Sequence, residues 1–134
     1  MSAASDYLEN AVLDHVLANT AFTQPSTLYL GLFTESGSTA ANLEAGTLTD
    51  EISGGDYVRE TITFDAASAG AADSAATVTF PAATANWGEI THVAVLDASS
   101  GGNVLFYGAV TTPKTIESGD TFQVSAGNLT ISLA

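Results

Sequence analysis

A chain of 134 residues, 46% of them apolar, suits one domain with a modest core and is too apolar to stay disordered. Fifteen acids face two cations, Arg59 and Lys114, for a net charge of −13, which excludes a phosphate-tracking surface and docking on an anionic membrane. The absence of cysteine removes disulfides, thiolate catalysis and Cys-based zinc sites.

The first ten residues, "MSAASDYLEN", hold no basic and no apolar signal region, and no run approaches a membrane span, so the chain is expected to be made in the cytoplasm. Residues 5–19 predict an amphipathic helix. Ser5 or Asp6 is its cap, Asp6 and Glu9 have capping-box spacing, and Leu8, Val12 and Val16 form a stripe widened by Leu13 and Leu17. The period then changes to alternation. Strands are expected at 27–33, 57–64, 75–80, 89–97, 103–110, 120–124 and 128–133, with turns at 97–103 and 117–120. Seven short strands predict an all-β sandwich or jelly-roll-like barrel, within a single domain spanning 1–134. The strands at 27–33, 89–97 and 103–110 are apolar on both faces and need cover on both. The helix or a partner subunit is the expected cover for one of those faces. Two connections stand apart. Residues 34–56 show no sustained period and carry five acids, Glu35, Glu44, Asp50, Glu51 and Asp56, with no base. Residues 65–76 are small and chemically quiet.

Candidate chemistry is sparse. His15 sits beside the helix stripe as a boundary residue. His92 alternates with Ile90, Ala94 and Leu96, as a hydrogen-bonded strand histidine does. No histidine pair, nucleophile elbow, phosphate loop or calcium loop occurs, so no catalytic, cofactor or metal residue is assigned and the chain reads as a non-enzyme. Trp87, between "FPAATAN" and the strand from Glu89, reads as a lid closing one end of the sandwich; its other reading is a sugar platform. Charged residues are only 13% of the chain, so the surface is rich in small polar side chains that lose little entropy when a partner covers them. The acidity keeps the chain soluble; a sharper reading is attachment to a basic surface.

In the phrases "FPAATANWG", "GGNVLFYGA" and "IESGDTFQVSAGNLT", and in "SDYLENAVLDHVL" and "PSTLYLGLFT", the chain resembles a family of small virion structural proteins of tailed bacteriophages and prophages, commonly labelled phage tail fibre proteins. None of these phrases is a catalytic motif. The resemblance implies a virion protein made in the host cytoplasm, partnered by the major capsid protein or by tail proteins, and forming a homo-oligomer. A fibre shaft needs length from a coiled coil, a triple β-helix or repeated modules, and the sequence holds none. The first expectation is therefore a capsid decoration or cement protein that stabilises the head. The alternative is a tail-fibre or tail-associated receptor-binding component, and a third reading is a hydrolase using His92 and a loop acid. The expected contact residues are Leu8, Val12 and Val16 on the helix, Glu44, Asp50 and Glu51 in the acidic loop, and Trp87.

Overall fold

The computed structural model describes residues 3–133 and realises the expected all-β fold, with two helices on its margins. In chain order the elements are β1 (Ala3–Ala4), α1 (Asp6–Leu17), β2 (Leu28–Phe33), α2 (Thr39–Glu44), β3 (Glu60–Ile62), β4 (Ala71–Asp73), β5 (Val78–Thr79), β6 (Gly88–Leu96), β7 (Val104–Ile116), β8 (Gln123–Val124) and β9 (Thr130–Ser132). Five strands form an antiparallel sheet in the order β1-β7-β6-β2-β3, while β4 with β9 and β5 with β8 make two separate ribbons.

The alternation of β2 explains the layering. Leu30 and Leu32 point into the larger core cluster, with Val93 and Val95 of β6 and with Phe80 and Phe122 beside the ribbons. Phe33 points the other way, into a smaller cluster with Leu43, Ala94, Leu96 and Val104. Both faces of the central strands are therefore covered, one by the ribbons and the other by α2. The expected cover for that second face was the N-terminal helix or a partner. It comes instead from the segment 34–56, read from sequence as irregular. A six-residue helix with Leu43 as its buried apolar side chain leaves no periodic signal.

Local bonding starts that helix. Glu35 Oε2 accepts from the Gly37 N–H at 2.8 Å, Thr39 Oγ1 accepts from the Ser36 N–H at 3.0 Å, and the same hydroxyl donates to the Thr34 carbonyl at 3.0 Å. The two ribbons are joined at Ser74, a buried residue whose Oγ accepts from the N–H groups of Gly127 and Leu129 at 3.1 and 3.3 Å.

The strand bounds differ from expectation in physically telling places. β7 runs on to Ile116, past the expected end at 110. Opposite Thr91 the ladder between β6 and β7 breaks, and Val110–Pro113 bow out of register. That is where a proline is tolerated in a strand. The break also divides β6. Ile90 enters the larger cluster, whereas His92 stands opposite Phe33 on the other face. Strict alternation had placed Ile90 and His92 together. The quiet segment 65–76 supplies β4, whose small side chains give little strand signal but whose backbone pairs Ala72 with Ile131.

Candidate functional site

Helix α1 begins at the expected cap. Ser5, in extended backbone at φ −76° and ψ 160°, accepts from the Leu8 N–H at 3.3 Å, and Asp6 and Glu9 place negative charge at the positive end of the helix. Ser5 is fully buried: its N–H donates to the Leu105 carbonyl at 2.9 Å and its hydroxyl donates to the Val104 carbonyl. The first turn is thus pinned to β7 while the rest of the helix stands clear. Leu8 is buried, but Val12, Leu13, Val16 and Leu17 are 37, 54, 70 and 77% exposed. After the helix Asn19 takes a left-handed φ of 55°, and the N–H groups of Ala18 and Thr20 both donate to the Asp14 carbonyl. The returning chain sets Phe22 edge-on against Tyr7, ring centres 6.5 Å apart, and its N–H donates to His15 Nδ1 at 3.1 Å.

Between α1, β1 and the C-terminal residues lies an open groove of about 860 Å³. Leu8, Val12, Leu28, Leu105, Phe106 and Leu133 line much of it. A second apolar hollow of about 270 Å³ lies under Phe64 and Ile131 and shares Leu28, Leu105, Phe106 and Leu133 with the groove. Leu28 and Phe106 read as ordinary strand residues in the sequence; only the topology shows that they surface beside the helix.

Acids gather at the same end. The Tyr107 hydroxyl donates to Glu44 Oε2 at 3.0 Å; burial, followed by the effects of Glu44, Glu9 and Asp6, pushes the Tyr107 pKa up to about 12. The other acids of the loop are engaged elsewhere. Asp50 accepts from Asn42 Nδ2 at 2.8 Å, which holds its pKa below the ordinary carboxylate value. Glu51 receives Nε and Nη2 of Arg59, each at 2.7 Å, in a two-pronged ion pair. Arg59 Nη1 donates to the carbonyls of Ala98 and Gly101 at 2.7 and 2.8 Å, and the Tyr57 hydroxyl donates to Glu51 at 2.8 Å. Burial works against the Arg59 charge, but Glu51 outweighs it and the pKa stays above its ordinary value. Burial, with Glu51 beside it, raises the Tyr57 hydroxyl well above the usual phenol range. Sequence reasoning missed this assembly, although a lone arginine in an apolar strand eight positions after a glutamate was its signal.

Trp87 lies at the opposite end of β6 from the groove. It is buried, its indole N–H donates to the Gly55 carbonyl at 2.9 Å, and Tyr57 packs against its ring at a centre distance of 5.5 Å. Gly55 has a φ of 58°, and a Cβ there would stand 2.8 Å from Trp87 Nε1, so the contact requires glycine. His92 is buried and shares a hydrogen bond with the Thr91 hydroxyl at 2.9 Å. Among the described residues no hydrogen bond joins His92 to an acid, and no group of three acids or histidines could hold a metal. Among the described residues no helix is long and apolar enough to cross a membrane.

Of the expected contact residues, the structure brings Leu8, Val12 and Val16 onto one helix beside the groove, and sets Glu44 on the Tyr107 hydroxyl, outside the groove lining. It separates Asp50, Glu51 and Trp87 from them, each bonded within the fold. The candidate site is an open apolar trough beside an exposed apolar helix face, with Glu9 as the acid in its lining.

None of the curated proteins matches the chain. The family model described as Podophage GP4 fiber I protein gp80 matches residues 3–132. The chain therefore belongs to the family of the podophage GP4 fiber I protein gp80, and is a structural component of the phage virion.

Proposed function

We propose that the chain is a non-enzymatic module of the tail-fibre apparatus that attaches to other virion proteins, rather than a fibre shaft or a head cement. The observation that carries this reading is the family match, which spans nearly the whole chain and whose description is a fibre protein. The fold adds physical support. Among the described residues, a sheet and two ribbons give no extended element along which a fibre could lengthen. The features left open to a partner are α1 and the trough beside it. Trp87 is engaged within the core, so recognition of a glycan by stacking on that side chain draws no support from its position.

Labelling the chain in assembled particles and imaging them by electron microscopy tests the reading. Label at the tail or its fibres is expected. Label spread over the head surface would overturn it and return the capsid-cement reading.

A further inference from the structure

We infer that the hollow under Phe64 and Ile131 is a binding site for an unbranched alkyl chain, carried by an amphiphile whose head is not anionic. The site lies behind the trough and does not depend on where in the particle the chain sits.

The walls of the hollow come from opposite ends of the size range. On the sheet side stand Leu28, Val95, Leu105 and Phe106; on the other stand Ala67, Gly70, Ala71 and Ala72. The small residues of the segment 65–76 thus occupy positions where a closed core would set large ones. They are fixed there by backbone bonds. Ala72 pairs with Ile131 in the β4–β9 ribbon, and the Leu133 N–H donates to the Gly70 carbonyl at 2.9 Å. Gly70 turns at a φ of 78°, and a Cβ on it would stand 3.0 Å from the Leu133 carbonyl oxygen. The space left is about 270 Å³, whereas packed interiors hold few voids larger than a water molecule.

Chemistry selects the guest. Every side chain in the lining is apolar, so water finds no partner there. A helix or strand would carry backbone N–H and C=O groups into that lining and leave them unmet. An apolar cavity of about 150 Å³ already takes a benzene ring, so one leucine or phenylalanine reaching in from a partner would leave much of this hollow empty. Its neighbours make the open space long. It shares Leu28, Leu105, Phe106 and Leu133 with the groove, and Val95, Phe106 and Ile131 with a cavity of about 260 Å³ between β7 and the ribbons. A linear tail suits that run better than a ring. Its head would remain in the groove, where Glu9 is the charged residue of the lining. Among the described residues no cation lines the hollow or the groove, so a carboxylate or phosphate head meets repulsion alone.

The test titrates the full chain by calorimetry with decyl maltoside, octyl maltoside, maltose and decanoate, each below its micelle concentration. Decyl maltoside is expected to bind at a single site, and octyl maltoside about tenfold more weakly for its two lost methylenes. Maltose and decanoate should not bind. Ala72→Leu, which fills the hollow from β4, should abolish binding and raise the melting temperature, as cavity filling does. Val16→Asp with Leu17→Asp, on the exposed helix face, should leave binding intact. Binding of maltose, equal binding of the two tail lengths, or binding that survives Ala72→Leu would overturn the inference. Loss of binding in the helix variant would overturn it too, by placing the tail on α1. A melting temperature lowered by Ala72→Leu would show a hollow already closed in solution, and self-association removed by that variant would give the space to a second copy. Either result defeats the alkyl site.

Discussion

Trp87 closes one end of the larger core through two separable interactions, ring packing against Tyr57 and a hydrogen bond from its indole to Gly55. Replacing it by Ala removes both and is expected to lower stability by about 3–5 kcal/mol, as large-to-small core changes do. Replacing it by Phe keeps most of the packing and leaves the Gly55 carbonyl unmet, for about 1–2 kcal/mol. Urea unfolding of the two variants should give midpoints in that order, and two unchanged midpoints would return Trp87 to the role of a surface residue. This fastening role and the bonded state of His92 were legible in the sequence, because Trp87 stands alone at the entry to an apolar strand and His92 within it, and each has little else to do there. The Arg59 assembly was not legible. Its partners at Glu51, Ala98 and Gly101 lie on segments that only the tertiary fold brings together.

At the scale of elements, α2 covers one face of the sheet, and its entry depends on ionised carboxylates. The N–H groups of Gly37 and then Thr39 hold the Glu35 pKa below its ordinary 4.5, and Asn42 holds Asp50 below 3.8. A carboxylate with a lowered folded-state pKa stabilises fully above its unfolded value, and that contribution is lost as pH falls through the folded value. The melting temperature of the wild type should therefore fall more steeply below pH 4.5 than that of a Glu35→Gln, Asp50→Asn double variant. Relief of the general negative charge is nearly common to both proteins, so the difference reports the α2 entry; parallel curves would remove the carboxylates from that role. Long alternating elements such as β2 and the N-terminal helix were legible because their periods span enough residues. The helix α2 and the strand β4 were not, being short and built of small side chains whose positions are set by packing and pairing from outside. The break that splits Ile90 from His92 was hidden for a related reason, since alternation carries no record of an interrupted ladder.

For the whole molecule, the all-β class followed from the spacing of strands and turns, whereas the division into a sheet and two ribbons depended on pairings between distant segments. The scarcity of cations makes the integrity of that arrangement measurable. Trypsin has two sites to cut, Arg59, buried on Glu51, and Lys114, a β7 residue paired with Ile90 of β6. The native protein is expected to resist trypsin, with cleavage rising in urea in step with unfolding, while thermolysin cuts first in the exposed half of α1. Rapid tryptic cleavage after Arg59 in native buffer would show that its ion pair does not hold. That pair has a consequence in time as well. It joins the exit from α2 and the entry to β3, eight residues apart, to the turn after β6, 39 to 42 residues further along the chain. Such a junction closes only after its surroundings have assembled, so its energy is absent from the barrier to folding and present in the barrier to unfolding. Glu51→Gln, expected to cost about 3 kcal/mol as the breaking of a buried pair does, should leave the refolding rate unchanged and speed unfolding about a hundredfold. In a particle component built this way, persistence would be set by the height of the exit barrier more than by the depth of the native state.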